Sequence, residues 1–459
     1  MVMVDLMVSE QQSGTAGKDV PAGFKLTEVG VIPQDWEVKT IGQLNPFITS
    51  GSRGWAEFYV DYGDLFVRIT NMSRNSIYLD TKTSENKFVS LPATSTEGKR
   101  TQLNNGDVLI SITADIGIIG YIDESIAKPA YINQHISLVR FDDDSIDNKF
   151  IAYFLASENV QKKFLANSDV GAKAGMNLNG VRSIIFAVPT IQEQSAIAEA
   201  LTDVDTLIVE LKKVLAKKQA IKTATMQQLL TGKTRLPQFA LRADGTVKGY
   251  KKSEYGEIPV DWCFVELGNL FEQTINRKKI DSTEEITFIG MQDVSDNAQL
   301  STCLLMKKCD IKPGLTYFER GDVLVAKITP CFENGKGCYT QTLTTNIGYG
   351  STEFHVLRAK PNADPEFIYY WTTDIHFRST LKAEMVGSAG HKRVPFHAIQ
   401  AYKIPCPENK EEQTAIAAIL SDMDKDIQTL QQRLDKTRQL KQGMMQELLT
   451  GKTRLIERN

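Results

Sequence analysis

Met226–Leu236 reads MQQLLTGKTRL and Met445–Leu455 reads MQELLTGKTRL; across the whole stretch the two differ only at Gln228 against Glu447. Chance does not deliver that, and fixed-order echoes extend upstream from it. Gly30-x-Ile32-Pro33-x-Asp35-Trp36 returns as Gly256-x-Ile258-Pro259-x-Asp261-Trp262. Gly106-Asp107-Val108-Leu109 returns as Gly321-Asp322-Val323-Leu324, and Asp147-x-x-Phe150-Ile151 as Asp364-x-x-Phe367-Ile368. Gln194-x-Ala196-Ile197-Ala198 returns as Gln413-x-Ala415-Ile416-Ala417, followed by Asp203-x-Asp205 and Asp422-x-Asp424. The chain is therefore one unit of about 200 residues written twice after a polar tail of about 20.

Each unit has a globular and a helical part. Residues 23–190 and 249–407 mix short β-rich runs with turn residues, Asp107 to Ile112 in the first and Val323 to Ile328 in the second. A helical pattern closes each, Phe150 to Leu165 and Phe367 to Met385. Both are expected to be compact α+β domains. The helical parts, 191–235 and 408–455, contain long helices from Gln192 to Leu230 and from Glu412 to Leu449. In the first, Ile197, Leu201, Val204, Ile208, Leu211 and Leu215 recur at three- and four-residue steps. Ile416, Leu420, Met423, Ile427, Leu430 and Leu434 do so in the second. That spacing, with polar residues between, is a coiled-coil seam. About 38 residues at 1.5 Å each make a rod of roughly 57 Å. The expected fold class is α+β: two similar globular domains separated by two long helices that pair as an antiparallel coiled coil, with a pseudo-two-fold internal repeat. Residues 1–22 are a polar tail, 236–248 a linker and 456–459 a short terminal tail.

Composition bounds the function. The apolar fraction is 42%, the charged fraction 24% and the net charge −3, so no global basic field advertises nucleic acid. Basic contacts would have to be gathered on particular surfaces. The start lacks the charged and apolar regions of a signal peptide, and no run approaches a membrane span, so a cytoplasmic location is expected. Six cysteines form no C-x-x-C pair, and Cys303, Cys309, Cys331 and Cys338 have no usual zinc spacing. Gly232-Lys233-Thr234 and Gly451-Lys452-Thr453 resemble a phosphate-loop ending, but Gln227 and Gln446 stand where the motif needs glycine, and the sequence closes a helix instead of opening one. His135 and His355 lie in strand-like runs and read as structural; Asp142-Asp143-Asp144 reads as a solvated turn. No catalytic constellation and no cofactor or metal site is expected.

What remains is a set of loops rich in side chains suited to DNA. The first unit offers Arg53, Trp55, Arg68, Asn71, Ser73, Arg74, Lys173 and Asn177; the second offers Arg277, Lys278, Gln292, Lys327, Thr329, His391, Lys392 and Arg393. Arginine suits the paired acceptors of guanine, asparagine and glutamine suit adenine, and small neighbours let backbone amides approach phosphate. A coiled-coil assembly scaffold and a stand-alone endonuclease are the competing readings.

These stretches resemble the specificity subunit of type I restriction–modification systems. The likeness is carried by Gly51-Ser52-Arg53-Gly54-Trp55 and Gln134 to Arg140 (QHISLVR). It continues through Gly321 to Gly337 (GDVLVAKITPCFENGKG), Gly350 to His355 (GSTEFH), Gly387 to Pro395 (GSAGHKRVP) and both LLTGKTRL helix ends. The resemblance implies two target-recognition domains, each reading one half of a bipartite, asymmetric double-stranded DNA site. It also implies helices that set the gap and dock two methyltransferase subunits carrying S-adenosylmethionine, with motor-nuclease restriction subunits joining the assembly. The loops hardly align between units: Arg68 faces Gly290 and Asn71 faces Asp293.

Overall fold

The structure is a computed structural model that describes residues 20–92, 94–168, 175–253, 256–388 and 390–455. Two long helices dominate it, Ile191–Leu230 and Lys410–Leu448, within two residues of the expected limits at every end. The chain divides into two compact units, residues 1–212 with 433–459, and residues 213–432. Both divisions cut through the long helices, so each unit holds the start of one helix and the end of the other.

In the first unit, strands Ala130–Ile132, Asp64–Val67, Lys87–Val89 and Tyr59–Val60 form one sheet, and Phe47–Ser50, Ile136–Arg140, Val108–Ser111 and Ile119–Tyr121 another. In the second, Leu304–Lys307, Glu285–Ile289, Ile347–Gly350 and Thr316–Glu319 form the first sheet, and Gly337–Tyr339, Val323–Ala326 and Phe354–Leu357 the second. The duplication extends to strand direction. Asp64–Val67 runs parallel to Ala130–Ile132, as Glu285–Ile289 does to Ile347–Gly350, and the remaining pairs are antiparallel. Val108–Ser111 and Val323–Ala326 are wholly buried, which is why both read as unbroken apolar runs.

Each globular part is closed by a two-stranded pairing of its third strand with its last, Glu37–Thr40 with Ile185–Val188 and Trp262–Glu266 with Lys403–Pro407. The long helix begins just beyond. The helical segments expected after the β-rich runs are each split in two: Asn148–Leu155 with Glu158–Ser168, and Pro365–Thr373 with Ile375–Ala383.

The repeated residues are the framework, and each pair does the same job twice. Asp107 sits buried and receives the fork of Arg140 at 2.7 and 2.7 Å; Asp322 receives Arg358 at 2.9 and 2.7 Å. Asp147 caps the helix after it by accepting from the Lys149 and Phe150 amides, and Asp364 accepts from Phe367. Gln194 accepts from the Asp147 amide and donates to the Pro189 carbonyl, as Gln413 does with Asp364 and Pro407.

The helix ends are held by a second duplicated assembly. Arg454 donates to Asp35 at 3.0 and 2.8 Å and to Glu193 at 2.6 and 2.8 Å, while the Trp36 indole donates to Glu193 at 3.2 Å. Arg235 donates to Asp261 at 2.5 and 2.8 Å and to Glu412 at 2.9 and 2.8 Å, with Trp262 donating to Glu412 at 3.3 Å. The TGKTRL ending is thus an anchor that locks the last turn of one helix to the first turn of the other and to the Asp-Trp pair of a globular part.

Contacts within each unit also fix the helix direction. Lys441 pairs with Asp205 at 2.7 Å, Lys222 with Asp424 at 2.5 Å and Lys218 with Asp426 at 3.1 Å, so positions rise on one helix as they fall on the other. Tyr153 and Tyr370 donate to those same aspartates, Asp205 and Asp424, at 2.8 and 2.9 Å. The pairing is antiparallel. The seam residues divide by position. Ile197 and Leu201 sink into the core around Trp36 and Phe150 with Leu448 and Leu449, and Ile416 and Leu420 into the core around Trp262 and Phe367 with Leu229 and Leu230. Ile208, Leu211 and Leu434 are buried along the helices, and Val204, Leu215, Met423, Ile427 and Leu430 are half-buried.

Candidate nucleic-acid interface

The loops that do not repeat project from strand ends. In the second unit they converge. The amide of Thr329 donates to the Lys392 carbonyl at 2.9 Å, and bridges join Ile328 and Val386 to Arg393. Lys327 donates its amide to Glu353 and its carbonyl receives the Val394 amide, at 2.9 and 2.8 Å. This brings Lys327, Thr329, His391, Lys392 and Arg393 onto one platform. His391 and Lys392 are exposed, and Arg393 forks onto Glu353 at 2.9 and 2.8 Å. That fork holds the Glu353 carboxyl below its ordinary range.

Beside the platform lies an open cleft of about 530 Å³, lined by Arg277 and Lys327 together with Glu272, Tyr317, Thr352 and His355. Burial lowers the Lys327 ammonium from its ordinary value against the pull of Glu353. His355 donates from Nε2 to the Val394 carbonyl at 2.9 Å and packs on Phe396. Burial pushes its imidazole down, so it stays neutral at pH 7 and its Nδ1 is left as an acceptor. The sequence reads His355 as structural; the structure makes it both a packing residue and part of the cleft wall. Glu272 stands in the wall without any sequence signal, because a lone carboxylate before Gln273 carries no motif. Lys278 is exposed but paired with Glu319. Gln292 is exposed on the turn Met291–Asp293 and donates to Asp293 at 3.3 Å.

In the first unit the expected residues separate. Arg53 is exposed, on a loop steadied by Arg100, which donates to the Ser50 carbonyl and the Ser52 hydroxyl at 2.7 and 2.8 Å. Ser73 is exposed and accepts from the Asn75 amide. Arg68 is half-buried and donates to the Glu85 carbonyl. Arg74 pairs with Asp115 and donates to the Ile116 carbonyl at 3.0 Å. Asn177 caps the helix Leu178–Arg182. Lys173 lies outside the described residues.

Two of these residues are removed from the candidate interface. Asn71 is 1% exposed; its carbonyl oxygen accepts from the Arg68 amide, and its nitrogen donates to the Asp80 carbonyl and to Asn86. Every polar atom faces inward, so it cannot meet a base edge. The Asp293 carboxylate does the same turn-holding job for the Gly290 amide at 2.6 Å, so the Arg68–Gly290 and Asn71–Asp293 correspondence is one of backbone turns. Trp55 is 5% exposed and stacks on Phe66 with ring centroids 5.0 Å apart, which makes it a core residue.

Among the described residues, no three His, Cys, Asp or Glu side chains gather to hold a metal ion, and no helix is long and apolar enough to cross a membrane. Gly232 and Gly451 close helices with φ of +70° and +66°, and phosphate-loop geometry is absent at both.

A duplicated framework that presents two unlike loop sets defines a two-domain recognition module. The chain belongs to the family described as the type I restriction modification DNA specificity domain, whose model matches residues 33–223 and 259–438. It is 37% identical over 162 residues to the type I restriction enzyme EcoEI specificity subunit of Escherichia coli, and 35% over 164 residues to the EcoAI specificity subunit. These matches cover 34% and 35% of this chain and only 27% and 28% of those relatives. A chain named as the putative MjaX type I restriction enzyme specificity subunit, from Methanocaldococcus jannaschii, is 26% identical over 440 residues, covering 94% of this chain and 97% of that one. Among solved structures, the type I restriction–modification S subunit from M. genitalium shares the fold at a TM-score of 0.54 and 14% identity, covering 90% of this chain and 96% of that one.

Proposed function

We propose that this chain is the DNA reader of a type I restriction–modification complex, each globular part taking one half of a split, asymmetric site in double-stranded DNA. The observation that carries this reading is the contrast between the two sets of residues. Trp36, Asp35, Glu193 and Arg454 have identical counterparts in Trp262, Asp261, Glu412 and Arg235, whereas the loops bearing Arg53 and Arg68 have none in those bearing Arg277, Lys327 and Lys392. Two equal frameworks with unlike loops suit two unlike half-sites.

The chain acts in the cytoplasm without a cofactor of its own. Two methyltransferase subunits dock on the long helices and supply S-adenosylmethionine and adenine methylation, and motor-nuclease subunits complete the assembly. In the first half-site the contacts come from Arg53, Arg68, Ser73, Arg74 and Asn177, with Lys173 as a further candidate from the sequence alone. In the second the contacts come from Arg277, Lys278, Gln292, Lys327, Thr329, His391, Lys392 and Arg393. The test is selection of bound fragments from a genomic library by the chain with its methyltransferase partners. Enrichment of one split motif is expected. A scaffold would enrich no sequence, and cutting by the chain alone with magnesium would mark an endonuclease.

A further inference from the structure

We infer that Lys327 is a specificity-determining residue that reads a guanine in the half-site taken by the second globular part, while its neighbour Lys392 holds phosphate. The inference rests on the DNA-reading function proposed above and divides labour within it.

Three observations point to a base edge at Lys327. Its backbone is fixed on both sides, by the Glu353 carbonyl and the Val394 amide, so the side chain leaves the sheet from a set position at the end of Val323–Ala326. Its ammonium is half-buried in the cleft, and among the described residues no hydrogen bond or ion pair engages Nζ. The neighbouring Glu353 carboxylate is already forked by Arg393, which leaves the Lys327 donors available.

The cleft lining decides between base and backbone. Phosphate offers acceptors only and is held by donors: Arg, Lys, hydroxyl and amide side chains and backbone N–H groups. Here Glu272 shares the wall with Lys327 and Arg277, and the nearby Glu353 is paired with Arg393, so the lining is mixed in charge and offers acceptors as well as donors. A base edge presents acceptors to Lys327 and Arg277 and donors to Glu272 and the Nδ1 of His355. Guanine offers O6 and N7 side by side to an ammonium, whereas adenine would turn its N6 donor toward it. Lys392, exposed on the rim and outside the cleft, has the setting of a backbone contact.

The experiment uses the full chain with its methyltransferase partners and a set of duplexes in which each base pair of the selected site is replaced in turn. Wild type, Lys327→Ala, Lys327→Gln and Lys392→Ala are compared, with melting curves for each; the Gln variant carries the test if Ala lowers folding. Both Lys327 variants should lose discrimination of about 5- to 150-fold at a single G·C pair and keep it elsewhere. Lys392→Ala should weaken all duplexes alike and flatten the salt dependence. Uniform weakening by Lys327→Ala and Lys327→Gln, or an unchanged profile, overturns the inference while leaving the DNA-reading function standing. Absence of any preference in the wild type sinks that function, and the inference with it.

Discussion

Gly232 ends the first long helix in the left-handed region, and a Cβ built there would lie 2.7 Å from Cδ of Pro259 and 3.0 Å from the Trp262 ring. Gly451 repeats this against Pro33 and Trp36, with a nearest approach of 2.3 Å. Backbone strain and overlap combine, so Gly232→Ala should cost about 1–3 kcal/mol in denaturant unfolding of the full chain. An unchanged midpoint would show that the helix end has room to move. At Asp261, burial opposes the charge, but hydrogen bonds from Arg235 and Lys248 outweigh it and bring the carboxyl down to about 2, from 3.8 for the free side chain. A depressed carboxyl stabilises the fold above the unfolded pKa, near 4, and the contribution disappears as pH falls through about 2. Stability measured from pH 5 to pH 2 should therefore fall less steeply in Asp261→Asn than in the wild type. Parallel slopes would contradict the assignment.

At the scale of elements, the long helices depend on their anchored ends as much as on their seams. Arg235 is 5% exposed and Glu412 3%, so among the described residues Arg235→Ala leaves the buried carboxylate with the Trp262 indole as its one side-chain donor. A loss of about 3–5 kcal/mol is expected. Arg454 does the same work at 27% exposure, and Arg454→Ala should cost less: Asp35 is already open to solvent, and water can enter where the part-exposed guanidinium stood to reach Glu193, itself only 1% exposed. Equal costs in chemical denaturation would refute that ordering. The helices were legible because apolar spacing over some 38 residues, broken by no proline and by a single glycine, Gly443, in the second, has few other solutions. The division of seam residues was not. Ile197 and Leu420 obey the same periodicity as Leu211, and only the three-dimensional packing of Trp36 and Trp262 turns the helix starts into globular core.

Over the whole molecule, duplication was readable because identical chemistry recurs in order, and every echo has its place in the fold. Asp107 and Asp322 hold strands, Gln194 and Gln413 bracket the helix starts, and Arg235 and Arg454 close the helix ends. The interface was legible only as a set of loops. Asn71 and Trp55 look like surface readers in sequence because no local pattern marks the inward hydrogen bonds of Asn71 with Arg68, Asp80 and Asn86 or the stacking of Trp55 on Phe66. Glu272 escapes notice, and His355 reads only as structural, for the matching reason: nothing local marks a cleft wall. The claim that repeated residues build and unrepeated loops read is tested most directly by mapping methylated adenines across the DNA of a host carrying this chain and its methyltransferase partners. The comparison is wild type against a variant with Lys327, His391, Lys392 and Arg393 all changed to alanine. The wild type should mark one split motif with two unlike halves, and the variant should lose selectivity in one half while keeping the other. A single uninterrupted or symmetric motif, or a variant with both halves intact, would contradict the account.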